Sequence, residues 1–122
     1  MCMKRSILAL LLPLSIWMAS ASGQTLEEGK NHLHAMRPAS AVAHFEKMLA
    51  AAPNNPEVIY WLGQAHLETD ESPSVRLEQA RKVYAAGLTA TGEAPLVKVG
   101  MGHVELLSNQ PDQARQLFDA AL

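Results

Sequence analysis

The chain has 122 residues, of which 48% are hydrophobic, and its formal net charge is −2. Its 10 lysines and arginines form no basic cluster, so we expect no nucleic-acid binding by phosphate neutralisation. The single cysteine, Cys2, precedes the apolar N-terminal run. We therefore expect no lipid anchor on it, and no disulfide, zinc–thiolate site or cysteine nucleophile in the rest of the chain.

The N-terminal segment has the three-part order of a secretory signal peptide. Lys4 and Arg5 precede the apolar run ILALLLPLSIWMA, and small residues follow it. The run is about 13 residues long, whereas a membrane-spanning helix needs about 20. We therefore expect residues 1–23 to be a signal peptide cleaved after Ala21 or Gly23. Removal would leave no membrane span, and the mature chain would be exported to the periplasm or cell envelope.

Beyond this segment, residues 24–122 contain one pattern three times. An alanine is followed by an aromatic residue four positions later and by a leucine four positions after that. Steps of four place the three side chains on one stripe of an α-helix. The three ladders are Ala41–Phe45–Leu49, Ala80–Tyr84–Leu88 and Ala114–Phe118–Leu122.

One glycine precedes each ladder, in a segment that has helical spacing of its own. These are Gly29, Gly63 and Gly102, and they recur after 34 and 39 residues. The second interval is five residues longer than the first, and the polar stretch DESPS, residues 70–74, is the expected place of this insertion. A glycine inside a helix costs roughly 1 kcal/mol relative to alanine. We expect that cost to be offset by close approach of the following helix.

The pattern resembles the tetratricopeptide repeat, a helix–turn–helix unit of about 34 residues. The resemblance is to secreted or envelope members of the family, with three repeats at about 22–55, 56–94 and 95–122, the last cut short. It implies an all-α fold, a right-handed superhelical array of helical hairpins with about six helices. The packing positions that it implies are Gly29, Ala41, Phe45, Gly63, Ala80, Tyr84, Gly102, Ala114 and Phe118. The tyrosine position of the motif departs from it, since it carries His32, His66 and Glu105.

The resemblance also implies a peptide-binding groove. In this family the first helices line a concave surface that receives extended or helical peptides. Carried over, the groove would comprise Lys30, Leu33, Tyr60, Gln64, Leu67, Val99, His103 and Leu106. An equal alternative is that the leucines of this stripe only pack against neighbouring helices. The clamp that some relatives use for a peptide carboxylate is not kept, because Leu26 and Trp61 stand where polar residues would be.

No motif in the sequence indicates catalysis. The five histidines lack metal-ligand spacing, no two carboxylates converge in a recognisable motif, and neither a nucleophile elbow nor a phosphate-binding loop is present. We therefore expect no enzyme activity, cofactor or metal. Together with the signal-peptide pattern, the resemblance implies a non-catalytic scaffold of the bacterial cell envelope with a protein or peptide partner.

Two alternatives concern the C-terminal edge, meaning the outward side of the third repeat. Each repeat buries its side against the next, so this side should be uncovered. The chain could be an assembly subunit that docks, or self-associates, through this edge, or the N-terminal fragment of a longer repeat protein with a further domain. The residues expected to lie uncovered are Val104, Leu107, Leu117, Ala121 and Leu122.

Overall fold

The computed structural model describes residues 25–122, and these residues form six α-helices without a β-strand. The expected signal peptide, residues 1–23, lies outside the described residues. Within the described part of the chain, no helix combines the length and the apolar character needed to cross a bilayer. The helices are α1 (Leu26–His34), α2 (Pro38–Ala51), α3 (Pro56–Leu67), α4 (Pro73–Thr91), α5 (Pro95–Leu107) and α6 (Pro111–Ala121).

Consecutive helices pair as three hairpins, α1–α2, α3–α4 and α5–α6, and each hairpin stacks on the next through α2 on α3 and α4 on α5. The first helices also contact one another, α1 with α3 and α3 with α5. Among the six described helices, the backbones of the second helices α2, α4 and α6 do not approach one another closely. The first helices therefore form the inner layer of a curved array, and the predicted all-α array of hairpins is confirmed.

Prolines mark where the helices begin. Proline is tolerated at the first helical position because its missing N–H has no partner there. Asn55 also caps α3, since its side chain accepts hydrogen bonds from the backbone N–H of Glu57 (3.0 Å) and Val58 (3.4 Å). Ser72 stands at the same position before α4 but makes no side-chain capping bond. The helix-initiating prolines are Pro38, Pro56, Pro73, Pro95 and Pro111.

The turns inside the first and third hairpins are alike. Each contains a residue in the left-handed region, Met36 with φ 60° and Asn109 with φ 62°. The amide of the next residue donates back to a carbonyl of the first helix, at 2.8 and 2.9 Å, which closes the helix end as in a Schellman motif. The second hairpin differs, because its insertion lengthens the connection, residues 68–72, and begins α4 a turn earlier relative to Ala80.

A glycine of the first helix meets an aromatic ring of the second helix in every hairpin. A Cβ atom added to any of the three glycines would overlap the facing ring. The absence of a side chain therefore sets the distance between the paired helices. The pairs are Gly29 with Phe45, Gly63 with Tyr84, and Gly102 with Phe118.

Two buried clusters lie between the hairpins. The first joins hairpins 1 and 2 around Phe45 and Leu62, and the second joins hairpins 2 and 3 around Tyr84 and Val97. The expectation that Val104 lies uncovered at the C-terminal edge is wrong. Val104 is fully buried because its side chain packs into the second cluster, between hairpins 2 and 3.

Candidate protein-binding surfaces

The predicted groove residues belong to α1, α3 and α5, whose common surface is called the inner face below. Leu33 is buried in the first cluster, and Leu67 is partly buried against the second, so both leucines take part in the core. Val99 is partly buried and belongs to neither cluster, while Leu106 is 51% exposed. The other four predicted groove residues are partly buried: Lys30, Tyr60, Gln64 and His103.

A cationic and aromatic patch forms where α1 meets α3. The Lys30 ammonium lies 4.9 Å from the centroid of the Trp61 ring and 3.5 Å from the Glu27 carboxylate. Trp61 meets Tyr60 edge to face, with 5.4 Å between the ring centroids. Lysine over an indole ring is an attractive cation–π arrangement, so the patch offers one positive charge beside two aromatic rings. Sequence analysis identifies Trp61 only as a replacement for a clamp residue and misses its contact with Lys30.

Tyr84 is the best-connected side chain of the interior. It is fully buried, its hydroxyl donates to the backbone carbonyl of Tyr60 at 2.8 Å, and the Gln64 amide donates to that hydroxyl at 2.8 Å. Burial raises the pKa of Tyr84 far above its ordinary value, and the hydrogen bond from Gln64 offsets only part of that rise. The hydroxyl therefore stays a donor at neutral pH, and Gln64, predicted as a groove residue, also supports the core.

Two glycines that sequence reasoning missed complete this packing. The Tyr84 ring packs against Gly63 of its own hairpin and against Gly100 of the next one, since a Cβ at either glycine would overlap it. Gly87 of α4 likewise faces Ile59 of α3. The repeat pattern predicts one packing glycine per repeat. The only sequence signal for the role of Gly100 is its position two residues before Gly102.

An ion pair joins hairpins 2 and 3. The Arg81 guanidinium donates from Nη1 to Oε1 of Glu105 and from Nη2 to the Ser108 hydroxyl at 2.9 Å. Ser108 in turn donates to the carbonyl of Val104 at 2.8 Å. Glu105 is only 7% exposed, so its carboxylate depends on the arginine for compensation of its charge. The glutamate at the tyrosine position of the motif, Glu105, therefore has a structural role that sequence analysis does not reveal.

The histidines serve several roles in packing. His66 is partly buried, and burial lowers the pKa of its imidazole below the ordinary value, against the opposing effect of Glu46. The rings of His32 and His44 lie 6.0 Å apart, and Nε2 of His44 donates to the Thr25 carbonyl at 2.7 Å. Among residues 25–122, no three histidine, cysteine or acidic side chains are grouped so that they could hold a metal ion.

The outer face carries an apolar cleft of about 400 Å³ between α2 and α4. It lies between two helices whose backbones do not approach each other closely. Its floor is Ile59 of α3, and Lys82 is its one charged lining residue. The remaining lining residues are Leu49, Pro53, Val83, Ala86, Gly87 and Ala90.

The C-terminal edge is less covered than the inner junctions. Phe118 is partly exposed, whereas Phe45 and Tyr84, which hold the same place in the other hairpins, are fully buried. Leu107 is 52% exposed, and Leu122 is fully exposed. No hairpin covers α6 within the described residues, and this leaves an apolar surface.

The fold and these surfaces define the chain as an all-α array of stacked helical hairpins. Residues 32–74, from the end of α1 to the start of α4, match the family model of the tetratricopeptide repeat. The predicted resemblance to the tetratricopeptide repeat is confirmed over this part of the chain. Searches of curated proteins and of solved structures found no significant match. Such repeats are typically non-catalytic and suggest a scaffold for protein–protein interaction.

Proposed function

We propose that the chain is a non-catalytic scaffold of the bacterial cell envelope that binds a segment of a partner protein on its inner face. One observation supports this choice of face above the others. The backbones of the first helices approach one another closely while those of the second helices do not, so the inner face is a continuous surface across all three hairpins. The envelope location rests on the signal-peptide pattern of residues 1–23 alone.

The inner face offers two kinds of contact. The patch of Lys30, Tyr60 and Trp61 suits an aromatic or acidic group of a partner. On α5, Val99 and Leu106 belong to neither buried cluster, so a partner can cover them without unpacking the core. Each 100 Å² of apolar surface covered in this way stabilises the complex by up to about 2.5 kcal/mol before the costs of association. The partner segment that fits is extended or helical, with apolar side chains along one side.

A charge placed on this face tests the proposal. The partner is first isolated from the host's envelope fraction with a tagged chain, and its affinity for the purified chain is then measured. Val99→Lys should weaken binding at least about tenfold, because an ammonium group would have to be desolvated in the contact. Ala85→Lys, at an exposed position on α4, is the matched control and should bind normally. Normal binding by a correctly helical Val99→Lys variant would exclude the inner face.

The C-terminal edge supports a second candidate function, assembly with another protein or with a second copy of the chain. The observation in its favour is the partial exposure of Phe118, whose counterparts are fully buried. Sedimentation over a range of chain concentrations tests self-association. A concentration-dependent dimer that Phe118→Gln abolishes would support this form of the candidate, and a monomer at every concentration would exclude it.

A further inference from the structure

The junction between hairpins 2 and 3 contains an arginine for which the junction between hairpins 1 and 2 has no counterpart. Arg81 of α4 donates to the carboxylate of Glu105 and to the hydroxyl of Ser108. The serine oxygen can accept this bond because its own proton goes to the carbonyl of Val104, in the last turn of α5. A guanidinium group therefore lies where the second helix of one hairpin meets the end of the following first helix.

The corresponding site of the first junction is found 39 positions earlier in the chain, the interval between the first two repeat alanines. There a valine replaces the arginine, a histidine replaces the glutamate and a threonine replaces the serine. These residues are Val42, His66 and Thr69. The threonine hydroxyl donates to the carbonyl of His66, in the last turn of α3, at 3.0 Å. Its oxygen can therefore accept a bond from a cation, as the serine oxygen does.

A cleft of about 310 Å³ lies at this corresponding site. Val42, His66 and Thr69 all line it, and the short valine side chain does not reach across it as an arginine would. The connection between α3 and α4 adds Glu71 to the lining, and α4 adds the amide of Gln79. The insertion that distinguishes the second hairpin thus supplies the carboxylate that the end of α3 lacks.

The charges around the cleft favour a cation. Burial lowers the pKa of the His66 imidazole, so the ring is mostly uncharged at neutral pH and one of its nitrogens can accept a hydrogen bond. Glu46 of α2 acts on the same ring in the opposite direction, which places a second carboxylate near the cleft besides Glu71. Arg76 donates to the backbone carbonyl of Thr69 at 3.3 Å and lines another cleft. The cleft is therefore rich in acceptors, the arrangement that suits a guanidinium group.

The cleft is open toward the turn of the first hairpin. A neighbouring cleft of about 300 Å³ shares two lining residues with it and extends to Met36, whose side chain is 82% exposed. Arg37 and Asp70 both line this neighbouring cleft, so it contributes one charge of each sign. A partner can enter over the hairpin turns at the start of α4, whereas the apolar cleft beside Lys82 lies toward the end of that helix.

We propose that this cleft binds an arginine side chain of a partner protein, with the guanidinium in the position that Arg81 fills in the next junction. The acceptors are the Glu71 carboxylate, the Thr69 hydroxyl and the His66 ring. Arginine suits the site better than lysine, because a planar guanidinium can donate to several acceptors in fixed directions. The cleft is separate from the inner face, so the inference goes beyond the proposed function and does not depend on it.

Blocked amino acids provide the probes. N-acetylarginine methylamide, whose blocked ends imitate a residue within a protein chain, is titrated into the isotope-labelled full chain and followed by NMR. We expect saturable shifts that centre on the Thr69 amide and the Gln79 side chain. The citrulline analogue has nearly the same shape without the charge, and the lysine analogue has the charge without the planar group. Each should bind at least about fivefold more weakly, and equal binding by either would overturn recognition of a guanidinium group.

Three variants test the site itself. Glu71→Gln should weaken binding of the blocked arginine about threefold, the scale of one exposed ion pair. Glu68→Gln makes the same charge change in the same connection outside the cleft lining and should bind as the unaltered chain does; equal weakening by both would reduce the effect to general charge attraction and overturn the site. Val42→Arg should fill the cleft from within and abolish binding while the chain stays helical. If that variant does not fold, the two glutamine variants still decide the question.

Free arginine distinguishes a partner protein from a small molecule. Its charged ends have no counterpart inside a protein chain, so we expect it to bind no more tightly than the blocked form. Binding at least about tenfold tighter would assign the cleft to a small molecule and overturn the partner protein. Shifts scattered away from the cleft, or no saturation up to about 50 mM of the blocked arginine, would overturn the site altogether.

Discussion

Replacing Gly63 by alanine tests the packing on which the array depends. Helix propensity alone predicts stabilisation by about 1 kcal/mol, because alanine is the better helix former. In the structure, however, a Cβ at this position would overlap the ring and hydroxyl of Tyr84. The same ring also packs against Gly100, which restricts its movement. The two effects therefore have opposite signs, and the structure predicts destabilisation.

The magnitude follows from three contributions. Overpacking of a close-packed core costs about 1–3 kcal/mol. Displacing the Tyr84 hydroxyl weakens its bonds to the Tyr60 carbonyl and to Gln64, each of which contributes about 1 kcal/mol. Subtracting the propensity gain of about 1 kcal/mol leaves a net loss near 2 kcal/mol. For a domain of this size, such a loss lowers the melting temperature by roughly 10 °C.

The assay is urea unfolding of the variant, followed by circular dichroism. Ala85→Gly, at an exposed position of α4, calibrates propensity alone and should cost about 1 kcal/mol. Tyr84→Leu removes the ring, so the double variant Gly63→Ala, Tyr84→Leu should cost less than the sum of the two single changes. Stabilisation of the single Gly63→Ala variant by about 1 kcal/mol would refute the packing argument.

Three further changes give expected results on stability, each measured by urea unfolding. Asn55→Ala should cost about 1 kcal/mol because it removes a side-chain cap, whereas Ser72→Ala should stay within a few tenths because Ser72 makes none; equal losses would contradict this. Arg81→Ala should cost about 2 kcal/mol by leaving the Glu105 carboxylate buried without its partner, and the pair Arg81→Met, Glu105→Leu should regain most of it. Burial lowers the pKa of His66 in the folded chain below 6.5, so the unfolded chain binds the proton first as the pH falls. The free energy of unfolding should therefore decrease below about pH 6.5. The decrease should be smaller than the ~1.4 kcal/mol per pH unit expected for the uptake of one whole proton. His66→Gln should flatten this pH dependence, and an unchanged slope between pH 7.5 and 5.5 would contradict the assignment.

Features that repeat along one helix could be predicted from the sequence. The ladder beginning at Ala41 and its aromatic residue four positions later define one stripe, and a preceding glycine defines the facing helix. The six helices and their pairing follow from this local periodicity, and prolines mark most of the helix starts. Local patterns sufficed here because each hairpin is built from residues that are close in the chain.

Contacts between hairpins could not be predicted in the same way. Arg81 and Glu105 belong to different hairpins, and neither residue alone indicates its partner. Gly100 packs against the Tyr84 ring of the preceding hairpin, so its role can be recognised only when the stacking of the hairpins is known. The repeat pattern predicts that Val104 lies uncovered at the C-terminal edge, whereas in the structure its side chain is buried in the second cluster.

The inner face shows a further limit of sequence reasoning. Periodicity places Leu33 and Leu106 on equivalent positions of the same stripe, yet one is buried and the other is 51% exposed. An apolar stripe has the same pattern whether it meets a neighbouring helix or solvent. Whether a residue of the stripe is buried depends on which hairpins stack against it, and this is known only from the structure.

Site-specific photo-crosslinking of the chain in its native host tests the proposed scaffold function most directly. A photoreactive residue is placed at His103 on the inner face or, as the matched outer-face position, at Lys82 beside the cleft of α2 and α4. We predict a discrete partner adduct from position 103 that excess unmodified chain suppresses, and none from position 82. The same adduct from position 82 alone, or equally from both positions, would contradict binding along the first helices.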